Sequence, residues 1–130
     1  MRRACVVAAL AAAVAGCGSP PADLFVVERT GSVPGADLRM LVSDGSVVCN
    51  DGPRLDISSS QLLEARSIET DLAEITQADI PPADPVIFGF SVRSESGTLR
   101  FADVTRRPPV IPRLVRLVRD LARNVCGLER

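Results

Sequence analysis

The chain of 130 residues carries 15 basic side chains, all of them arginine, against 16 acidic ones, and it contains no histidine, tryptophan or tyrosine. Without histidine, Ser-His-Asp and Cys-His nucleophilic arrangements and histidine-based zinc sites are excluded. A slightly acidic chain with no tyrosine or tryptophan for base stacking is not built for nucleic acid, and its length suits one domain around one core.

At the N-terminus, Arg2 and Arg3 precede an apolar run from Ala4 to Ala15, closed by Val14-Ala15-Gly16-Cys17. A positive start, about a dozen apolar residues and small residues at a cut site describe an export signal. The run falls short of the roughly 20 apolar residues that span a bilayer. Because the small residues end at a cysteine, the segment resembles the lipobox of bacterial lipoprotein precursors. That resemblance implies a signal peptide over residues 1–16, diacylglyceryl transfer to the Cys17 sulfur, cleavage before Cys17 and acylation of its freed amine. The protein would then sit lipid-anchored on the extracytoplasmic face of the cell membrane. Arginine in place of every lysine points to a GC-rich genome, with an actinobacterial source as the expectation. The mature chain would keep 114 residues, with 13 arginines against 16 acids.

Residues 17–23 read as the lipidated cysteine and a short tether, and residues 24–130 as a single domain. Six tether residues from Gly18 to Asp23 reach about 20 Å at most, which holds the domain close to the membrane. Leu24 to Arg29 reads as a first strand. Asp37 to Ser43 and Ser46 to Cys49 flank Asp44-Gly45, a pair suited to a type I′ hairpin turn. Leu38, Met40 and Val42 share one face of the first arm. Asn50-Asp51-Gly52-Pro53 reads as a closing turn, since the spaced acids of a calcium loop are missing.

Ser58 to about Gln77 reads as a helix, with Ser58 and Gln61 forming a capping box and Ile57 as a staple. Leu62, Ala65, Ile68, Leu72 and Ile75 recur at three- and four-residue steps and define its buried stripe. Pro81-Pro82 and Pro85 form a rigid connector. Val86, Phe88, Phe90 and Val92 alternate along a strand, Ser94-Glu95-Ser96-Gly97 turns, and Thr98 to Val104 returns with Leu99, Phe101 and Asp103 on one face. Pro112 fits the first turn of a last helix whose apolar face is Leu114, Val115, Val118, Leu121, Ala122 and Val125, with Gly127 as its stop. The order β-β-β-α-β-β-α, with short connections between strands, predicts an α+β fold: a mostly antiparallel sheet of about five strands with both helices on one face.

Cys5 leaves with the signal and Cys17 takes lipid, so the folded part keeps Cys49 and Cys126. An even pair in an exported chain reads as a disulfide, here closing a loop of about 80 residues. A redox pair or metal ligation is the other reading; the pair lacks Cys-x-x-Cys spacing, and the chain has no histidine to join it. No cofactor or metal is expected. No Gly-x-Gly-x-x-Gly or phosphate-loop pattern occurs, and carboxylate pairs such as Glu69/Asp71 and Glu64/Glu74 lie on the polar side of the first helix. The serine clusters are explained by a cap and a turn. No catalytic residue is assigned, and an enzyme is not expected.

Charge is unevenly spread. Asp51 to Asp84 carries eight acids and two arginines, whereas Arg106 to Arg130 carries seven arginines and two acids. Arg113, Arg116, Arg119 and Arg123 form a stripe along the last helix. The stripe either meets anionic headgroups, each arginine contributing around 1 kcal/mol, or lies beside the acidic helix and is compensated by it. The second is preferred, because both helices should share a sheet face.

Val27-Glu28-Arg29-Thr30-Gly31, the acidic helix, the Phe88-Gly89-Phe90-Ser91-Val92 hairpin with its Gly97 turn, and Pro112-Arg113-Leu114-Val115-Arg116-Leu117 follow one another from about Val26 to Leu121. In order and spacing they resemble the emfourin-type proteins, small inhibitors of thermolysin-like metallopeptidases. The two cysteines and the lipid anchor depart from that family, and no inhibitory residue is carried over. The leading expectation is a non-enzymatic envelope lipoprotein with a small disulfide-bonded binding domain and an envelope or secreted protein partner. A membrane-tethered inhibitor of secreted metallopeptidases is the alternative, and a domain that meets anionic lipid through its arginine stripe is the third reading.

Overall fold

The computed structural model describes residues 22–130; the signal segment, Cys17 and the first part of the tether lie outside the described residues. Six strands form one sheet: β1 (Asp23–Gly31), β2 (Leu38–Ser43), β3 (Ser46–Cys49), β4 (Arg54–Asp56), β5 (Phe88–Ser94) and β6 (Gly97–Ala102). Their order across the sheet is β4-β3-β2-β1-β5-β6, and every neighbouring pair is antiparallel. Two helices complete the α+β architecture, α1 (Ser59–Leu72) and α2 (Val110–Asp120), the latter running on through a π-helical turn at Leu121–Val125.

Period-two alternation in the strands sends Phe25, Val27, Leu38, Met40, Val42, Phe90 and Val92 to one face, where all are buried. Ala65, Ile68 and Leu72 of α1 and Ile111, Leu114 and Val118 of α2 close that face from above. Each large apolar side chain so buried contributes about 2 kcal/mol, which makes this layer the main source of cohesion. The other face carries Arg39, Arg93, Arg100 and Glu28 exposed among half-buried Val26, Leu41 and Val48, a composition suited to water on that side.

Ser58 caps α1 as its spacing predicts. The Ser58 Oγ accepts from the Gln61 N–H at 3.2 Å, and the Gln61 side chain accepts from the Ser58 N–H at 2.8 Å. The helix ends at Leu72 rather than near Gln77, because Asp79 captures the Thr76 N–H at 2.7 Å and starts a separate short 3₁₀ turn at Gln77–Asp79. Asp44-Gly45 is not a type I′ turn: only Gly45 has positive φ, at 101°, while the Asp44 N–H continues the strand pairing by donating to the Ala22 carbonyl at 2.8 Å. The left-handed pair is Asn50 and Asp51, with φ of 50° and 57°. That turn leads into β4, a sixth strand in which Leu55 alone is apolar, too little for a period-two signal.

Val86 and Ile87 do not extend β5. Their N–H groups, with that of Phe88, donate to the Asp103 carboxylate at 3.0, 2.9 and 3.1 Å. Asp103 itself lies beyond the end of β6, in the turn that follows Ala102.

Candidate functional site

Cys49 and Cys126 form a disulfide. It ties the end of β3 to the C-terminal cap of the last helix, and Gly127, with φ of 68°, then turns the chain back over the sheet. The Leu128 N–H donates to the Ala122 carbonyl at 2.8 Å, which sets Glu129 and Arg130 beside the end of β1.

The four arginines of the last helix do not share one environment. Arg113 crosses to α1: its Nε donates to Glu64 at 3.0 Å, its Nη1 to Asp71 at 2.6 Å and its Nη2 to the Ser67 hydroxyl at 2.8 Å. Its hydrogen bond to Glu64 raises its pKa, against partial burial, with Asp71 adding to the effect. Arg116 borders a shallow groove with Gln61, Glu64 and Asp120 and makes no ion pair among the described residues. Arg119 and Arg123, four residues apart, turn to the opposite end, where they meet Arg29, Phe88, Glu129 and Arg130 around an open pocket of about 400 Å³. Cations near a helix C-terminus gain a few tenths of a kcal/mol from the helix dipole, which accounts for Arg119 and Arg123 singly but not for four arginines lining one pocket.

Arg29 forms the floor of this pocket. Inward alternation along β1 continues from Phe25 and Val27 to position 29, so an arginine occupies a core-facing place and is only 5% exposed. Its Nε donates to the Ala36 carbonyl at 2.8 Å, and its Nη2 to the Arg130 main-chain oxygen at 3.2 Å and, at 3.4 Å, to Gly35. The guanidinium lies 4.8 Å from the centre of the Phe88 ring, within range of a cation–π interaction. No side-chain carboxylate pairs with it among the described residues. Burial lowers its pKa, and the positive charges of Arg119 and Arg130 lower it further. A buried cation surrounded by like charge is costly unless a counter-charge arrives.

The sequence places Arg119 and Arg123 on a helical stripe and Arg29 and Phe88 in strands, and it marks no site role for Arg29, Phe88 or Arg130. The signal for Arg29 was present in the strand alternation, since an arginine two residues after Val27 points inward. Nothing local marks Arg130, which is brought in by the Gly127 turn. Among the described residues no group of three or more acidic or cysteine side chains is placed to hold a metal ion, and no helix is long and apolar enough to cross a membrane. The lining gathers hydrogen-bond donors and positive charge, with Glu129 the one acidic side chain among the described residues that border it. Comparison with protein-family models, with curated proteins and with solved structures gave no match to this chain.

Proposed function

We propose that this chain is a lipid-anchored, non-enzymatic lipoprotein of the cell envelope whose disulfide-bonded α+β domain binds a partner or ligand outside the membrane. The disulfide between Cys49 and Cys126 carries the reading. Such bonds persist in oxidising compartments, and with Cys5 in the signal segment it leaves Cys17 as the single cysteine free for lipid. The first strand starts at Asp23, so the tether between anchor and domain is no longer than six residues. Mass spectrometry of the native protein is expected to show a chain beginning at Cys17 with diacylglycerol on its sulfur. A Cys17→Ser chain is expected in the soluble fraction. An unmodified Cys17 with the leader still attached would overturn the anchor.

A second reading, a membrane-tethered inhibitor of thermolysin-like metallopeptidases, is supported by the order of elements that carries the emfourin-type resemblance. Strand, acidic helix, phenylalanine hairpin and basic helix follow one another as α1, β5, β6 and α2 do after β1. It requires stoichiometric inhibition of such an enzyme by the purified chain, and full proteolytic activity at molar excess removes it.

A further inference from the structure

We propose that the pocket formed by Arg29, Phe88, Arg119, Arg123, Glu129 and Arg130 is a binding site for a phosphoryl group. Arg29, Arg119, Arg123 and Arg130 line one volume of about 400 Å³, and Glu129 is the only acid among the described residues that line it. Even a carboxylate on Arg130, whose main-chain oxygen Arg29 holds, leaves positive charge in excess. The forks come from three separate places: Arg29 from the sheet, Arg119 and Arg123 from the helix and its π-helical turn, and Arg130 from the returning C-terminal segment. A planar carboxylate offers two oxygens and is satisfied by one fork. A tetrahedral phosphoryl group presents three oxygens in different directions and accepts from several forks at once.

Arg29 is what separates this pocket from a solvated basic surface. Its Nε and Nη2 are fixed by main-chain carbonyls and its plane lies near the Phe88 ring, so the donor is positioned before any ligand arrives. Its Nη1 has no protein partner among the described residues. A ligand oxygen there would add counter-charge that no side-chain carboxylate supplies to Arg29, at little cost in side-chain ordering.

The proposal deepens the reading of the domain as a binding module and rests on it, but not on the anchor. The phosphoryl group belongs either to a soluble ester or to a lipid headgroup. The position of the site favours the soluble source, because Arg29 stands six residues along β1 from Asp23, about 20 Å from the tethered end.

The test uses the full chain purified in neutral detergent and titrated with inorganic phosphate, followed by calorimetry and by the ¹⁵N signals of the arginine Nε groups. Saturable binding is expected, weakened about tenfold or more in Arg119→Gln/Arg123→Gln, since each charge-assisted hydrogen bond lost costs roughly that factor. Both side chains are exposed, so the variant keeps its fold, checked by an unchanged melting temperature. Arg93→Gln/Arg100→Gln, on the open sheet face, removes the same net charge and is expected to bind as the parent does. Glycerol phosphate competing as well as phosphatidylglycerol-doped micelles assigns a soluble source; competition by the micelles alone assigns a headgroup. Absence of saturable phosphate binding, acetate binding as tightly as phosphate, or equal weakening by both double variants overturns the site. None of these outcomes bears on the mass of Cys17, so the anchor and the pocket fail separately.

Discussion

Asp103 accepts three consecutive main-chain N–H groups, from Val86, Ile87 and Phe88, and so fixes the place where β5 begins. Nearby, Gly31 permits the close approach of the same segment, because a Cβ there would stand 2.5 Å from the Ile87 oxygen. Burial acts to raise the pKa of Asp103, but the N–H donors of Val86, Phe88 and Ile87 outweigh it and hold the carboxyl below its ordinary value of 3.8. The folded chain therefore binds this proton more weakly than the unfolded chain. The resulting stability is complete above the ordinary value and is lost as pH falls through the lowered one. Asp103→Asn keeps one acceptor oxygen and loses the charge, at a cost of about 1.5 kcal/mol near neutral pH. Urea midpoints of parent and variant should differ at neutral pH and converge well below 3.8; a gap that persists in acid would assign the loss to packing instead.

The elements differ in how openly the sequence announces them. Ser58 and Gln61 stand three apart before an apolar stripe, and the helix starts there, since a capping box is a local device written in adjacent residues. β2, β5 and α2 were equally legible from their spacing. The end of α1 was not, because Thr76 and Asp79 compete for the chain with hydrogen bonds as short as those of the helix. β4 was missed because three residues with one apolar side chain carry no periodicity, and it forms only by pairing with β3. The disulfide was legible from compartment and parity rather than from geometry. It joins residues 77 apart, and a chain-entropy account gives about 4 kcal/mol for closing such a loop in the unfolded state. Cys49→Ala/Cys126→Ala is therefore expected to lower the unfolding free energy by roughly that amount while leaving the sheet's circular dichroism in place. Reductant should shift the parent's denaturation midpoint towards that of the variant and leave the variant's unchanged; a parent indifferent to reductant would show that the bond does not bear on stability.

At the scale of the whole molecule, charge is divided between two ends of one layer. Among the described residues the acidic face of α1 is met by Arg113 alone, through Glu64 and Asp71, so the compensation expected between the helices takes up one arginine of the four. Arg119 and Arg123 are left to join Arg29 and Arg130, a grouping that depends on the tertiary path after Gly127 and that no local pattern encodes. The sheet registers set this pocket at the end of β1 away from Asp23. Arg29 pairs with Leu38 at one end of β1, while Phe25 pairs with Ser94 at the other, so the β5–β6 turn at Glu95 and Ser96 lies beside the Asp23 end and Ser32 lies beside the pocket. If lipid on Cys17 holds the Asp23 end near the bilayer, the two ends differ in height by about 20 Å, the rise of six strand residues. A fluorophore on Ser96→Cys should then be quenched several-fold more strongly by a headgroup-attached quencher in neutral vesicles than one on Ser32→Cys. Neutral lipid matters, because a mature chain with 13 arginines against 16 acids carries excess negative charge and would be oriented by repulsion on an anionic surface. Equal quenching at the two positions would mean that the domain lies on its side, bringing the arginine pocket within reach of headgroups and moving its phosphoryl ligand from solution to the membrane.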